Sequence, residues 1–217
     1  MNTMTETPVR LISSAKSWIE GEAIRQLFAA AKLEGMTLAI GYPDLHPGKG
    51  SPVGAAFVSE GVIHPFLIGG DIGCGMAFYK TDLQRRKAKL DRWTELRFDL
   101  EHPWEGDLAQ RLNAAGLEST CSDEAFGTLG GGNHFAELQA VEKIHDSAAF
   151  EQLGLNRSNL SLLVHAGSRG LGEEVLRDYT SESSAAGVEE SSEAAQSYLA
   201  DHNHALHWAK ENRALLA

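Results

Sequence analysis

A glycine-rich heptapeptide, Gly69-Gly70-Asp71-Ile72-Gly73-Cys74-Gly75, constrains this chain more than any other stretch. Glycine allows left-handed backbone conformations and lets other groups approach closely. We therefore interpret the segment as a tight loop that presents Asp71 and Cys74 at one point. A carboxylate and a thiolate that converge without bulky neighbours are typical of a metal site. Taken alone, the stretch fits a glycine-rich turn around a buried cysteine equally well.

Length and charge limit the class of protein. The 217 residues suffice for one large domain or two small ones, and we expect a single domain over 1–217. The net charge of −11 should repel a phosphate backbone, so any nucleic-acid contact needs a local basic patch or a metal ion. Cys74 and Cys121 are far apart in a chain without an apolar signal segment, which favours free thiols and a cytoplasmic location.

Hydrophobic periodicity predicts a mixed α/β (α+β) fold of packed sheets flanked by helices. A helix of about 15 residues should begin near Ser17 and end at Gly35. Further predicted elements are strands over 36–40, 55–58, 62–68, 76–79, 134–141 and 160–164, and helices over 173–179 and 195–215.

Two other segments are harder to assign. Tyr42–Gly54 has three prolines and three glycines, which predicts an irregular loop that carries Asp44, His46 and Lys49. Lys80–Arg92 has six basic residues and favours an exposed helix, with RNA contact as the alternative.

Two later loops also carry ligand-type side chains. In the first, Gly130 to Gly132 precede Asn133 and His134, and consecutive glycine N–H groups are suited to hold an anion. The second follows a predicted buried strand and contains His165, glycines and Arg169, which favours a phosphate or carboxylate site.

Three histidines, His202, His204 and His207, lie on the last predicted helix. His204 and His207 share a face and could bind a metal, but solvated side chains on an exposed helix are the simpler interpretation. Cys121 has no assigned role.

These motifs together resemble the RtcB family of RNA ligases. The matching segments follow the family order over nearly the whole chain, with a weaker match from Tyr198 to Arg213. The Phe66–Gly70 run is similar to the subgroup paired with a release-factor homologue. The four stronger segments are Pro43–Gly48, Gly70–Gly75, Gly127–Phe135 and His165–Gly170.

The resemblance implies an activity. The family joins an RNA 3′-phosphate or 2′,3′-cyclic phosphate to a 5′-hydroxyl, using GTP and two Mn²⁺ ions, and passes the guanylate through a histidine. It implies metal ligation by Asp71, Cys74, His134 and His165, with Cys74 bridging the ions. It also implies guanylate contacts by Asn133, Phe135 and Glu137, and substrate-phosphate contacts by Arg169, Ser168 and Gly167.

Ligand softness alone would favour zinc over manganese at a thiolate, so the expectation of manganese rests on the family.

Family members continue beyond the position of Arg213. That further part carries another metal-ligand histidine and the nucleophilic histidine, so we expect this chain to need a missing C-terminal segment or a second polypeptide, and not to join RNA alone. One alternative is a metal- and nucleotide-binding remnant or phosphoesterase without ligase activity. The other is a non-catalytic fragment whose exposed former interface binds a partner or a second copy of itself.

Overall fold

The computed structural model describes residues 7–14, 16–89, 100–180 and 187–217. Helices and strands are mixed throughout this part of the chain, which confirms the predicted α+β class. The helices are α1 (Gly21–Ala30), α2 (Pro65–Ile68), α3 (Leu108–Ala115), α4 (Ser147–Gln152), α5 (Gly170–Thr180) and α6 (Glu193–Leu216). The strands are β1 (Val9–Leu11), β2 (Met36–His46), β3 (Val53–Ser59), β4 (Val62–Ile63), β5 (Gly75–Gln84), β6 (Phe135–Ala140), β7 (Asn159–Ala166) and β8 (Val188–Glu189).

The chain divides into two compact units. The first contains the described residues up to Gly69 and those within Val175–Ala200, and the second contains those within Gly70–Glu174 and Asp201–Ala217. The boundaries fall within α5 and α6, so each of these helices contributes residues to both units. The single domain over 1–217 stays a prediction.

The first unit contains a three-stranded sheet with the order β1-β2-β3. Strand β1 is parallel to β2, and β2 is antiparallel to β3. Helix α1 buries Ala23 and Leu27 in one cluster with Ala39 and Leu45 of β2. This helix has 10 residues, from Gly21 to Ala30, so the predicted start near Ser17, the end at Gly35 and the length of about 15 residues are wrong.

The prediction of an irregular loop over Tyr42–Gly54 is wrong for residues 42–46, because β2 continues to His46. The register between β2 and β3 shifts between Gly41 and His46, which indicates a β-bulge. Pro43 lies inside this shift, where the sheet ladder does not require the N–H group that proline lacks. The bulge therefore accommodates a residue that normally ends a strand.

The predicted strand over 62–68 is also only partly right. Val62 and Ile63 pair with β8, but a short helix, α2, then begins at Pro65. Proline is favoured in the first turn of a helix, where its missing N–H would have no intrahelical partner. The run of apolar residues did not by itself reveal where the strand ends and the helix begins.

The second unit contains the sheet β5-β7-β6, in which β7 is the central strand and both pairings are antiparallel. The strands predicted over 76–79, 134–141 and 160–164 are confirmed. The predicted basic helix is wrong in the described residues: β5 extends to Gln84 and a 3₁₀ turn follows at Arg85–Lys87. Its remaining basic residues include Arg92, which lies outside the described residues.

Pairing with β7 explains that error. Lys80 lies opposite Ser161 and Gln84 opposite Asn159, so tertiary pairing overrides a local sequence that favours a helix. The last predicted helix is confirmed as α6, which has 24 residues. None of the helices in the described ranges is long and apolar enough to cross a membrane.

Gly54 provides a test of the bulge. Its φ is +75°, and a β-carbon added there would lie 2.8 Å from the Asp44 carbonyl oxygen. Gly50 has a φ of +87° and open space around it. Gly50→Ala should therefore carry only the left-handed strain of about 1–2 kcal/mol, whereas Gly54→Ala should add about 1–3 kcal/mol from the clash with backbone. Urea unfolding of both variants measures the difference, and equal losses would show that Asp44 moves aside freely.

Candidate metal centre

The glycine-rich heptapeptide forms a tight turn. The Cys74 N–H donates to the Asp71 carbonyl over 3.0 Å, and Gly73 has a φ of +71°. A type II turn requires such a positive φ at its third residue. Ile72 is only 1 % exposed and anchors the turn in the core, while Cys74 lies at the surface. In the chain the turn follows α2, so the prediction that a strand leads into it is wrong.

His134 lies directly before β6, and both of its ring nitrogens have neighbours. Nδ1 lies 3.0 Å from the Leu129 carbonyl oxygen, which can only accept, so we assign the ring proton to Nδ1. Nε2 then faces Asp71 Oδ2 at 2.9 Å and Cys74 Sγ at 3.6 Å. A neutral imidazole Nε2 and a carboxylate oxygen are both acceptors, so a proton or a metal cation must lie between them.

His165, near the end of β7, repeats this arrangement. Its Nδ1 lies 3.1 Å from the Gly75 carbonyl oxygen, and its Nε2 lies 3.8 Å from Cys74 Sγ. The ligand atoms of Cys74, His134 and His165 all lie within 4.8 Å of one another. Two imidazole nitrogens and one sulfur at this spacing form a suitable donor set for a transition-metal ion.

The Cys74 thiol is strongly held in its neutral form. The pKa of this thiol is raised from 9.0 to about 12: burial is the largest cause, the hydrogen bond and charge of Asp71 act in the same direction, and the charge of Arg213 opposes them. Without a cation the sulfur is therefore a thiol at neutral pH. A metal ligand must be a thiolate, so binding an ion there requires displacement of this proton.

The Asp71 carboxylate lies directly over Gly167. A β-carbon at Gly167 would be 1.9 Å from Asp71 Oδ1, so only glycine leaves room for this carboxylate. Ser168 is fully buried, and its Oγ has no hydrogen-bond partner among the described residues. Phosphate contacts by Gly167 and Ser168 stay predictions.

Arg169 adopts a left-handed conformation, with a φ of 57°. Its guanidinium lies against Gly130, where a β-carbon would be 1.5 Å from Arg169 Cζ. Helix α5 begins at the next residue, Gly170, three positions before the predicted start. The structure thus brings the arginine, the second glycine-rich loop and a helix N-terminus together, as a site for an anion requires.

The three residues expected near the guanylate lie on β6 or just before it. Phe135 is paired with His165 across the sheet, and the two ring centroids are 5.5 Å apart. Glu137 follows two positions later and faces the same side of the sheet. Asn133 and Glu137 are exposed, and Glu137 accepts a hydrogen bond from Gln139. On the other side of His165, the paired Met76 is 62 % exposed, so apolar side chains flank the histidine.

Two adjacent residues on α6, to which the sequence motifs gave no role, also contribute to the site. Arg213 Nη1 donates to the carbonyls of Gly73 and Ala166, over 2.7 and 2.6 Å. Asn212 accepts from the Gly127 N–H and donates to the Thr128 carbonyl. A usable signal was present in the helix periodicity, which places both polar residues on the buried stripe of α6.

The histidines of α6 do not contribute to this cluster. The group of three potential ligands found in the described ranges consists of Cys74, His134 and His165. His207 is exposed, and the His204 Nε2 atom is buried without a hydrogen-bond partner among the described residues.

Comparison with known proteins gives consistent matches. The profile of the family described as tRNA-splicing ligase RtcB matches residues 26–120 and 105–217. RNA-splicing ligase RtcB2 of Escherichia coli is 44% identical over 210 residues, which cover 95% of this chain and 54% of that protein. The tRNA-splicing ligase RtcB of Thermococcus kodakarensis is 30% identical over 209 residues, which cover 74% of this chain and 43% of that protein.

The chain thus spans about half the length of the curated relatives that it matches. Because the two ranges matched by the profile together cover residues 26–217, this chain belongs to the RtcB family.

Proposed function

We propose that this chain is part of a GTP- and Mn²⁺-dependent RNA ligase that joins 3′-phosphate or 2′,3′-cyclic phosphate ends to 5′-hydroxyl ends in RNA repair or tRNA splicing. The observation that carries the proposal is the convergence of Cys74, His134 and His165 beside Asp71 in a chain of this family. Relatives named RNA-splicing and tRNA-splicing ligases support RNA as the substrate. The two free cysteines support a cytoplasmic location.

The donor set fits a divalent cation. Both histidines direct Nε2 towards Cys74 because a backbone carbonyl engages each Nδ1. We propose Asp71, Cys74, His134 and His165 as ligands, with Cys74 shared between two ions. The bound ions would neutralise phosphate charge and stabilise the attacking and leaving oxygens. A thiolate is softer than manganese prefers, so the choice of Mn²⁺ over Zn²⁺ rests on the family.

Arg169 is the residue that we propose to bind the RNA 3′-phosphate. Its planar guanidinium can donate two parallel hydrogen bonds to one phosphate, and Gly130 leaves the space that this guanidinium occupies. Backbone N–H groups of the Gly130–Gly132 loop and the start of α5 would add further donors.

Phe135, Glu137 and Asn133 are the residues that we propose for GTP. Phe135 offers a ring face beside His165, and the exposed Glu137 carboxylate can accept hydrogen bonds from guanine N–H groups. Adenine lacks that pair of donors on its edge, so a carboxylate there would favour GTP over ATP.

Metal binding should release a proton from Cys74. With the pKa of this thiol raised to about 12, it is protonated at pH 8 and must ionise on binding. The apparent affinity for Mn²⁺ should therefore rise by up to about tenfold per pH unit below that pKa. Calorimetry at pH 8 in two buffers of different ionisation enthalpy should show about one more proton released by the wild type than by Cys74→Ala.

Cys121→Ala provides the control, because Cys121 lies outside the ligand cluster and should leave the proton count unchanged. Equal proton release by the wild type and Cys74→Ala would contradict thiolate ligation.

GTP should raise the melting temperature in the presence of Mn²⁺ more than ATP does, because a ligand that binds only the folded state stabilises it. Phe135→Ala should reduce the GTP shift by removing the ring face. Glu137→Ala should bring the GTP and ATP shifts closer together. Glu142→Ala removes an exposed carboxylate beyond the end of β6 and serves as the control. Identical GTP and ATP shifts in the wild type would refute guanine recognition by this chain.

Arg169→Lys should weaken binding of an RNA that ends in a 3′-phosphate far more than binding of the same RNA with a 3′-hydroxyl, because lysine does not reproduce the bidentate contact. Gly130→Ala should act in the same direction, since its methyl group would displace the guanidinium. Gly132→Ala is the matched control: Gly132 has a φ of +84° and open space around it. Fluorescence anisotropy at one fixed salt concentration measures all three variants.

Equal losses for both RNA ends would identify Arg169 as a general backbone contact, and the proposal of a 3′-phosphate site would fail.

A further inference from the structure

The C-terminal part of α6 holds the segments that carry the proposed metal ligands. Arg213 is 7% exposed, so its guanidinium is in the protein interior. Its Nη1 donates hydrogen bonds to two backbone carbonyls, to that of Gly73 over 2.7 Å and to that of Ala166 over 2.6 Å. Gly73 directly precedes Cys74, and Ala166 directly follows His165. Arg213 Nη1 therefore links the backbone next to Cys74 with the backbone next to His165.

Asn212 performs a similar role for the third ligand. Its Oδ1 accepts from the Gly127 N–H over 2.6 Å, and its Nδ2 donates to the Thr128 carbonyl over 3.1 Å. Thr128 is followed by Leu129, whose carbonyl engages His134 Nδ1. Both Asn212 hydrogen bonds therefore lie just before the residue that orients the His134 ring.

Close packing leaves α6 little freedom to move relative to the Cys74 turn. A β-carbon at Gly73 would lie 3.0 Å from Ala209 Cβ and 3.1 Å from the Leu206 Cα. The helix thus contacts the turn through its backbone as well as through Arg213. Displacement of the Arg213 side chain would leave the buried Ala166 carbonyl and the partly buried Gly73 carbonyl without this donor, which is unfavourable.

We infer that Arg213 is a positioning residue for the metal centre, and that it sets the distance between Cys74 and His165 by bonding the adjacent carbonyls. This inference rests on the proposed metal site. Arg213 is not one of the proposed ligands, and its hydrogen bonds go to the backbone beside them. Residues that orient metal ligands in this way typically contribute 10–100-fold to metal affinity.

The test uses Co²⁺ as the probe, because a cobalt–thiolate bond gives a charge-transfer absorption band that reports on the Cys74 contact. We expect Arg213→Ala to bind Co²⁺ about 10–100-fold more weakly, with a weaker or shifted band. Arg213→Lys should recover part of the affinity, because its ammonium ends about one bond short of the Nη1 position. Cys74→Ala identifies the band, since Cys121 remains in that variant.

Arg111→Ala is the matched control for a purely structural effect. Arg111 on α3 donates to Glu211 on α6 over 2.9 Å, so its loss removes another arginine contact to the same helix without touching a metal-ligand segment. Urea unfolding of the metal-free variants gives the loss of stability in each case. We expect Arg111→Ala to retain the wild-type Co²⁺ affinity and spectrum.

Each outcome has a distinct meaning. If the wild type shows no cobalt–thiolate band, the proposed metal site and this inference both fail. If the wild type shows the band and Arg213→Ala retains it with unchanged affinity, the inference fails while the metal site stands. Equal losses of affinity in Arg111→Ala and Arg213→Ala would also refute positioning. If Arg213→Ala does not fold, Arg213→Lys decides the question, and a wild-type spectrum and affinity in that variant would overturn the inference.

Discussion

The hydrogen bonds from two backbone carbonyls to two imidazole rings are the constraint on which the candidate site depends. Leu129 and Gly75 each engage an Nδ1 atom, so each ring turns its other nitrogen towards Cys74. A neutral histidine has one protonated ring nitrogen, which donates a hydrogen bond, and one unprotonated nitrogen, which accepts. A carbonyl oxygen only accepts, so it must pair with the protonated nitrogen. The backbone therefore selects the tautomer in which both Nε2 lone pairs are available for a ligand.

Two glycines make the site sterically possible, because charged side chains from other segments lie where the β-carbons of these glycines would be. The Asp71 carboxylate occupies the space that a side chain at Gly167 would fill, and the Arg169 guanidinium does the same at Gly130. Each glycine belongs to one sequence segment and the charged side chain to another. Gly167 and Gly130 thus leave room for charged side chains that come from other segments of the chain. The site therefore forms only when these segments fold together.

Much of the second unit could be predicted because its signals are local. The apolar run of β7 and the glycine-rich loops with their polar side chains are visible in short windows, and these segments hold His165, Cys74 and His134. The errors arose where distant contacts decide the structure. Strand β5 continues through a basic stretch because it pairs with β7, and β2 passes Pro43 by means of a bulge against β3. Arg213 bonds Gly73 across 140 positions, a separation that no window of local sequence covers.

Charge explains why the metal centre and Arg169 are proposed to act together on RNA. A chain with a net charge of −11 repels a polyphosphate at long range, and screening in physiological salt limits that repulsion to about 8 Å. Within that distance, Asp71 adds a further negative charge beside the cluster. Divalent ions held by Asp71 and Cys74 would reverse the sign of this local charge. Bound ions would thus turn an acidic ligand set that repels phosphate into one that attracts it, which supports the phosphate site proposed at Arg169.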